Sequence, residues 1–413
     1  MGALASIGGV SNNSSCLQRR SSTDTFALPY TCGVQGPLAG LKVIELAGIG
    51  PAPYACMLLA DLGADVLRIE RGDPDAEAVT TYDLLNRSRD SVAVDLKSDA
   101  GRDLVIELSG QAHVLIEGFR PGVVERLGLG PDVLLVRNPS LVYGRMTGYG
   151  QSGTLSKMAG HDINYISISG ALWPIGRSGD RPTPPLNLVG DFGGGALFLV
   201  FGVLAAVLSA RETGVGQVVD AAMVDGSASL TAMMHSLLNA GTWQEVRGEN
   251  ILDTGAHFYE VYETSDRGFV AVGAIEGKFY RELLHGLGLE GHDLPTQMDR
   301  NSWPEMKARF AQIFAQKSRE EWVRIFEGTD ACVTPVLSPS EAAEHPYNVE
   351  RQVFATDQVV QPRPAPRFSK TPGSIGQPPT RAGSGTRSGL QRWGLDEGRL
   401  DALRNSGAFG PSA

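Results

Sequence analysis

The stretch Leu41-Lys42-Val43-Ile44-Glu45-Leu46-Ala47, followed by Gly48-Ile49-Gly50-Pro51, decides how the rest of the chain is read. A short apolar run closed by a glycine–proline turn predicts a strand buried on both faces. The pattern turns helical over Pro53 to Leu62, and Gly63 stops it. Ala64-Asp65-Val66-Leu67-Arg68-Ile69-Glu70 then reads as a second strand. Strand, glycine turn, helix and strand make a parallel βαβ unit, which predicts an α/β protein on a parallel, Rossmann-like sheet.

Further strands are expected at Ser91 to Lys97, at Ala112 to Arg120 and at Leu141 to Thr147. Pro121-Gly122 turns the second of these into a helix carrying Arg126. Ligands of parallel sheets bind beyond the carboxyl ends of strands. Arg71, Lys97 and Arg120 are expected at such ends, where converging cations would hold a polyanion by charge-assisted hydrogen bonds. Gly48-Ile49-Gly50 with Glu70 invites a dinucleotide reading, but Pro53 stands where the third glycine of that fingerprint belongs. A nicotinamide cofactor is therefore not expected. His113, set among apolar strand residues, is read as structural.

At 413 residues the chain should form more than one domain. Its net charge of −10 argues against a nucleic-acid partner, which needs a basic face. The four cysteines have no paired or metal-type spacing and the seven histidines are dispersed, so neither disulfides nor zinc are expected. Ala196 to Ala210, the longest apolar run, falls short of a membrane span and predicts a buried core helix, with no membrane partner. Residues 1–37 are rich in Ser, Gly and Asn and read as a disordered or targeting extension. The expected compartment is the cytoplasm, or the mitochondrion if that extension is a transit peptide.

The least charged part of the chain holds Gly160-His161-Asp162-Ile163-Asn164-Tyr165 and, thirty positions beyond His161, Gly190-Asp191-Phe192-Gly193-Gly194-Gly195. Ionisable groups in apolar surroundings are where perturbed pKa values and proton transfer are found. His161 and Asp191 are therefore read as an acid/base pair, with Asp191 in a turn before the apolar helix. Downstream, Phe258 to Thr264, Gly268 to Gly273 and Ala331 to Val336 read as strands of a smaller α/β domain. Helices are expected at Lys278 to His285, Trp303 to Gln316 and Arg319 to Glu327. A Pro/Gly-rich crossing over 356–388 leads to a last helix at about Asp396 to Asn405.

Several of these runs together resemble the family III coenzyme A transferases. They are Pro37 to Leu46, Leu62 to Val66, Val94 to Lys97, Gly118 to Gly122 and Arg126 to Gly128. Gly160 to Tyr165, Asn187 to Gly195, Gly216 to Gly226 and Val272 to Glu276 are similar to the members of that family that epimerise 2-methylacyl-CoA thioesters. The resemblance runs from about Pro37 to the C-terminus, with Phe119 where a tyrosine is common. It implies proton transfer by His161 and Asp191, with Glu276 paired to the histidine. It implies coenzyme A contacts from Arg71, Val94, Asp95, Leu96, Lys97, Gly118, Phe119, Arg120 and Arg126, and from Gly160, Asp162, Ile163, Asn164 and Tyr165. It also implies an interlocked homodimer with shared active sites. The expected division is a large coenzyme-binding domain at 38–225, a linker at 226–257 and a small domain at 258–345. A return linker at 346–390 and a C-terminal helix at 391–413, packed on the large domain, complete it.

Epimerising a carbon beside a thioester carbonyl requires a proton to leave one face and another to return to the opposite face. Two groups of different type suit this, each acting as base in one direction and acid in the other. A histidine and a carboxylate whose pKa is raised by burial can approach one another in proton affinity. Backbone N–H groups of the Asp191-to-Gly195 turn are one candidate for stabilising the enolate. No metal, flavin or nicotinamide is called for, since the substrate itself carries the coenzyme A. Two other readings stay open: a coenzyme A transferase in which Asp191 attacks the thioester and forms an anhydride, and a non-catalytic acyl-CoA binder.

Overall fold

A computed structural model of the chain describes residues 36–72, 82–356 and 358–410. All of the extension 1–37 except its last two residues, with the addressing signals read in it, lies outside the described residues.

Six strands, β1 (Lys42–Leu46), β2 (Asp65–Glu70), β3 (Asp90–Ala93), β4 (Val114–Glu117), β5 (Val142–Thr147) and β6 (Val218–Ala222), form one sheet. They lie in the order β3-β2-β1-β4-β5-β6. Every neighbouring pair is parallel, with Lys42 opposite Asp65 and Val43 opposite Val114. This is the doubly wound order, in which the winding reverses between β1 and β4 and leaves a crevice beyond their carboxyl ends. Helix α1 (Pro51–Asp61) starts directly at that crevice, with prolines at its first and third positions. Helices α2 (Asp99–Ser109), α3 (Val123–Arg126) and α4 (Pro131–Arg137) follow β3 and β4.

β3 and β4 are shorter than the apolar runs that predict them. Val94 continues the apolar pattern and still donates its N–H to the Glu70 carbonyl of β2 at 2.9 Å; the chain leaves the sheet after it, where the Asp95 N–H donates to the carbonyl of Ala408, 2.9 Å away. Leu390, Trp393, Leu400, Leu403 and Phe409 fill the same core as Ile44, Leu67 and Leu115. The last helix, Glu397–Asn405, thus packs back on the large sheet. Arg392 closes the exposed edge by pairing with Asp65 and Asp90.

The other face of the sheet is covered by α1 and by a continuous helix from Leu188 to Thr213. Its first ten residues, Leu188–Leu197, are π-helical, and α6 (Phe198–Thr213) continues it. This corrects the expected turn at Asp191 and lengthens the expected fifteen-residue helix. By length and composition alone the rod could cross a membrane, with a mean hydropathy of 2.2 over its most apolar window. One side, with Leu199, Val203, Ala206 and Val207, is buried on the sheet, where the absence of a side chain at Gly144 lets Leu199 and Val203 approach β5. Leu197, Phe201 and Leu208 on the other side are at least half exposed, so the helix is not buried all round as expected.

The second sheet is antiparallel and three-stranded: β7 (Tyr259–Glu263), β8 (Phe269–Gly273) and β9 (Val333–Val336) in that order. Helices at Gly277–Gly286, Trp303–Phe314 and Arg319–Phe326 bury its inner face around Phe258, Val270, Phe310 and Trp322.

Candidate active site

The crevice between β1 and β4 is floored by the Gly48–Pro51 turn, and the π-helical segment brings Asp191 onto it. A methyl group at Gly50, whose φ is +71°, would stand 3.4 Å from Asp191 Oδ2. π-helical turns are rare and concentrate at functional sites, and this one carries the carboxylate that the sequence singles out. Asn187, four residues earlier, donates from Nδ2 to Asp191 Oδ2 at 3.3 Å. The rings of Tyr54 and Phe192 pack at 4.5 Å between centroids and wall the site on the α1 side. Burial raises the proton affinity of the Asp191 carboxyl. The Asn187 hydrogen bond opposes that shift, the charge of Asp162 adds to it, and His161 opposes it.

His161 stands exposed at the N-terminus of α5 (Asp162–Ile168), in extended backbone. Its own N–H donates to the Asn164 side-chain oxygen at 3.0 Å, which fixes the helix entry. Asp162 turns the other way and is 5% exposed. Its Oδ1 accepts the backbone N–H of Asp191 at 2.6 Å, while its Oδ2 is buried without a hydrogen-bond partner. One carboxylate thus ties the histidine-bearing helix to the segment that carries Asp191. Tyr165 is also buried; its hydroxyl donates to the Gly160 carbonyl, and burial, followed by the charges of Tyr149 and Asp191, pushes it up to about 12. It stays neutral and braces the approach to His161. Glycine is needed at 160 because a methyl there would stand 2.8 Å from the Tyr165 ring.

The residues of the expected coenzyme set differ in exposure. The side chains of Val94, Asp162 and Tyr165 are buried in internal packing or hydrogen bonds, which leaves only their backbone to meet a ligand. The half-buried Asp95 accepts the Lys97 N–H at 3.0 Å, and Leu96 and Phe119 pack partly against the core. Gly118, Ile163 and Asn164 are exposed, and Gly160 is half-buried. Arg71, Lys97, Arg120 and Arg126 are exposed, and none of them forms an ion pair among the described residues. Arg87, Arg89, Arg145 and Arg392, by contrast, are all paired with carboxylates. Arg71 immediately follows β2, whereas Lys97 and Arg120 lie on loops beyond β3 and β4 rather than at their last residues.

Two further groups belong to the expected chemistry. Glu276 precedes the helix Gly277–Gly286 beside the second sheet as its N-cap; its carbonyl accepts the Tyr280 N–H at 2.9 Å, while its side chain is exposed and has no hydrogen bond or ion pair among the described residues. It does not meet His161 within one chain. The enolate donors suggested for the Asp191-to-Gly195 segment are partly taken: the Asp191 N–H by Asp162, and the Phe192 N–H by the Asn187 carbonyl at 3.3 Å. Asn187 itself was not singled out from the sequence as a site residue, although Asn and Asp four apart on a helix are placed to hydrogen bond.

Together these features define a doubly wound α/β protein with a half-buried carboxylate at its topological switch point and exposed cations, unpaired among the described residues, beyond the strand ends. The sequence profile of CoA-transferase family III matches residues 38–386, and the chain belongs to that family. It is 50% identical over 337 residues to the mouse protein named alpha-methylacyl-CoA racemase, covering 81% of this chain and 87% of the mouse one. It is 47% identical over 339 residues to the human protein of the same name, with the same coverage. A crystal structure of Rv3272 from Mycobacterium tuberculosis superposes with a TM-score of 0.71 at 26% identity, covering 86% of this chain and 99% of that one.

Proposed function

We propose that this protein is an acyl-CoA racemase that interconverts the two configurations of 2-methyl-branched acyl-CoA thioesters. The observation that carries the reading is Asp191, a half-buried carboxyl of raised proton affinity with His161 as an electrostatic neighbour. One group removes the α-proton and the other returns a proton to the opposite face, each serving as base in one direction. Burial brings the carboxyl closer to a histidine in proton affinity, which suits a reaction that must run both ways. Asn187 holds the Asp191 carboxylate in place beside Gly50, and the exposed cations Arg71, Lys97, Arg120 and Arg126, unpaired among the described residues, suit the phosphates of coenzyme A.

In this reading the working unit is a homodimer. The exposed, unpartnered Glu276 of one copy reaches His161 of the other, and a second copy covers part of the apolar side of the Leu188–Thr213 helix. The test is incubation of one enantiomer of a 2-methylacyl-CoA in heavy water, followed by NMR and chiral analysis. Deuterium should enter the α-position as the optical purity falls, and both effects should disappear in His161→Ala and Asp191→Ala. Absence of exchange, with coenzyme A passing to a free carboxylic acid instead, would overturn the reading in favour of transfer through an Asp191 anhydride.

A further inference from the structure

Arg145 lies on β5, away from the proton-transfer pair, and is 6% exposed. It is the register partner of Glu117, the last residue of β4. Its Nε donates to Glu117 Oε1 at 2.9 Å, and its Nη1 meets Glu125 Oε1, on α3, at 2.8 Å. The second oxygen of Glu117 accepts the backbone N–H of Phe119 at 2.7 Å. Two residues before Arg145 on the same strand, the Tyr143 hydroxyl donates to the carbonyl of Leu129 at 2.9 Å. The Arg145 guanidinium also lies over the Tyr143 ring, 5.9 Å from its centroid.

These contacts hold one segment at its start, middle and end: Phe119, Glu125 and Leu129. Between those anchors stand Arg120 and Arg126, the exposed cations without carboxylate partners. A planar guanidinium is the side chain that can serve two carboxylates at once in fixed geometry; an ammonium on a flexible stem cannot.

We infer that Arg145 is a positioning residue for the coenzyme site, setting the Gly118–Leu129 segment so that Arg120 and Arg126 face the phosphates of the thioester's coenzyme. This rests on the acyl-CoA reading given above. The network touches no proton-transfer group, so it acts on binding of the phosphate end and leaves the chemical step alone.

The experiment compares one 2-methylacyl group carried on coenzyme A with the same group on pantetheine, which lacks the phosphates and the nucleotide. The proteins are the wild-type chain, Arg145→Lys and Glu125→Gln. Glu125 is partly exposed, so its replacement keeps the test readable if the buried position tolerates no change. Both variants should raise KM for the coenzyme A ester about tenfold, equivalent to about 1.4 kcal/mol. They should leave its kcat unchanged, and leave kcat/KM for the pantetheine ester unchanged. Equal losses on both esters, or an unchanged KM for the coenzyme A ester, overturn the inference. If the wild-type chain treats the two esters alike, the assignment of Arg120 and Arg126 to the phosphates fails first, and the role of Arg145 fails with it.

Discussion

Gly190→Ala is the most demanding test of the site geometry, because local propensity and tertiary structure predict opposite signs. Gly190 lies inside a helical segment, where alanine is ordinarily better by about 0.5–1 kcal/mol. Here the added methyl would stand 2.5 Å from Asp162 Oδ1 and 2.7 Å from its Cγ. Ordinary contact needs about 3.5 Å, so the carboxylate must retreat by about 1 Å. Its bond to the Asp191 N–H, 2.6 Å long, then passes beyond hydrogen-bonding distance. Hydrogen bonds to charged groups are worth about 1.5–3 kcal/mol, which outweighs the propensity gain and leaves the variant less stable by about 0.5–2.5 kcal/mol. The catalytic effect should be larger, since a displacement of about 1 Å can cost about a hundredfold. Urea unfolding and α-proton exchange in heavy water measure the two quantities. Gly398→Ala serves as a control on the last helix, where the nearest atom lies at an ordinary 3.5 Å and stability should rise. If Gly190→Ala is as stable as the wild type and exchanges within threefold of its rate, Asp162 is not what positions Asp191.

Burial chiefly raises the proton affinity of Asp191, and the negative charge of Asp162 adds to it. In the proposed reaction Asp191 can take a proton only when ionised, so Asp162→Asn should move the acid limb of the exchange rate to lower pH; an upward shift contradicts the account. His161→Ala and Glu276→Gln should each be nearly inactive alone, yet their mixture after dissociation and reassociation should recover about a quarter of wild-type exchange, through one intact site in each mixed dimer. No recovery from verified mixed dimers places both residues in one chain's site. His257, hydrogen-bonded to Tyr280 at 2.8 Å, is lowered by burial, with the charge of Lys307 adding, from 6.5 to about 4. As pH falls through that interval the unfolded chain gains a proton that the folded one refuses, so stability declines by about 3 kcal/mol in all. In His257→Gln the difference in unfolding free energy between pH 7 and pH 4 should shrink by that amount.

The parallel sheet was legible because its central strands are continuous apolar runs between glycine turns, a local pattern that tertiary structure did not override. Strand ends were less legible. Val94 is as apolar as the sheet residues before it and still bonds to β2, and the chain leaves the ladder at Asp95, whose N–H goes to the distant Ala408 carbonyl. The error at Asp191 has the same origin. Three glycines in a row predict a turn, because glycine is poor in helices. Here a methyl at Gly194 would stand 2.6 Å from the Ser227 N on α7 (Met223–Leu230), and the close approach of that helix requires the glycine. His161 and Asp191 stand out by their apolar surroundings, but their expected roles come from the family resemblance. Asp162 could not, since nothing local distinguishes a carboxylate that faces a ligand from one that faces the backbone of residue 191.

The π-helical segment gives the chain a constraint on length as well as on composition. Each residue of an ordinary helix advances the side chain by about 100° around the axis. Removing one residue between Leu188 and Asp191, or adding one, works like a misplaced screw thread: Asp191 swings away from Gly50 and the Asp162 anchor while the apolar rod behind it keeps its seat on the sheet. Chains that keep the Asp162–Asp191 anchor can therefore exchange residues within Leu188–Leu197 other than Gly190, Asp191 and Gly194, but an alignment gap there should coincide with loss of that anchor.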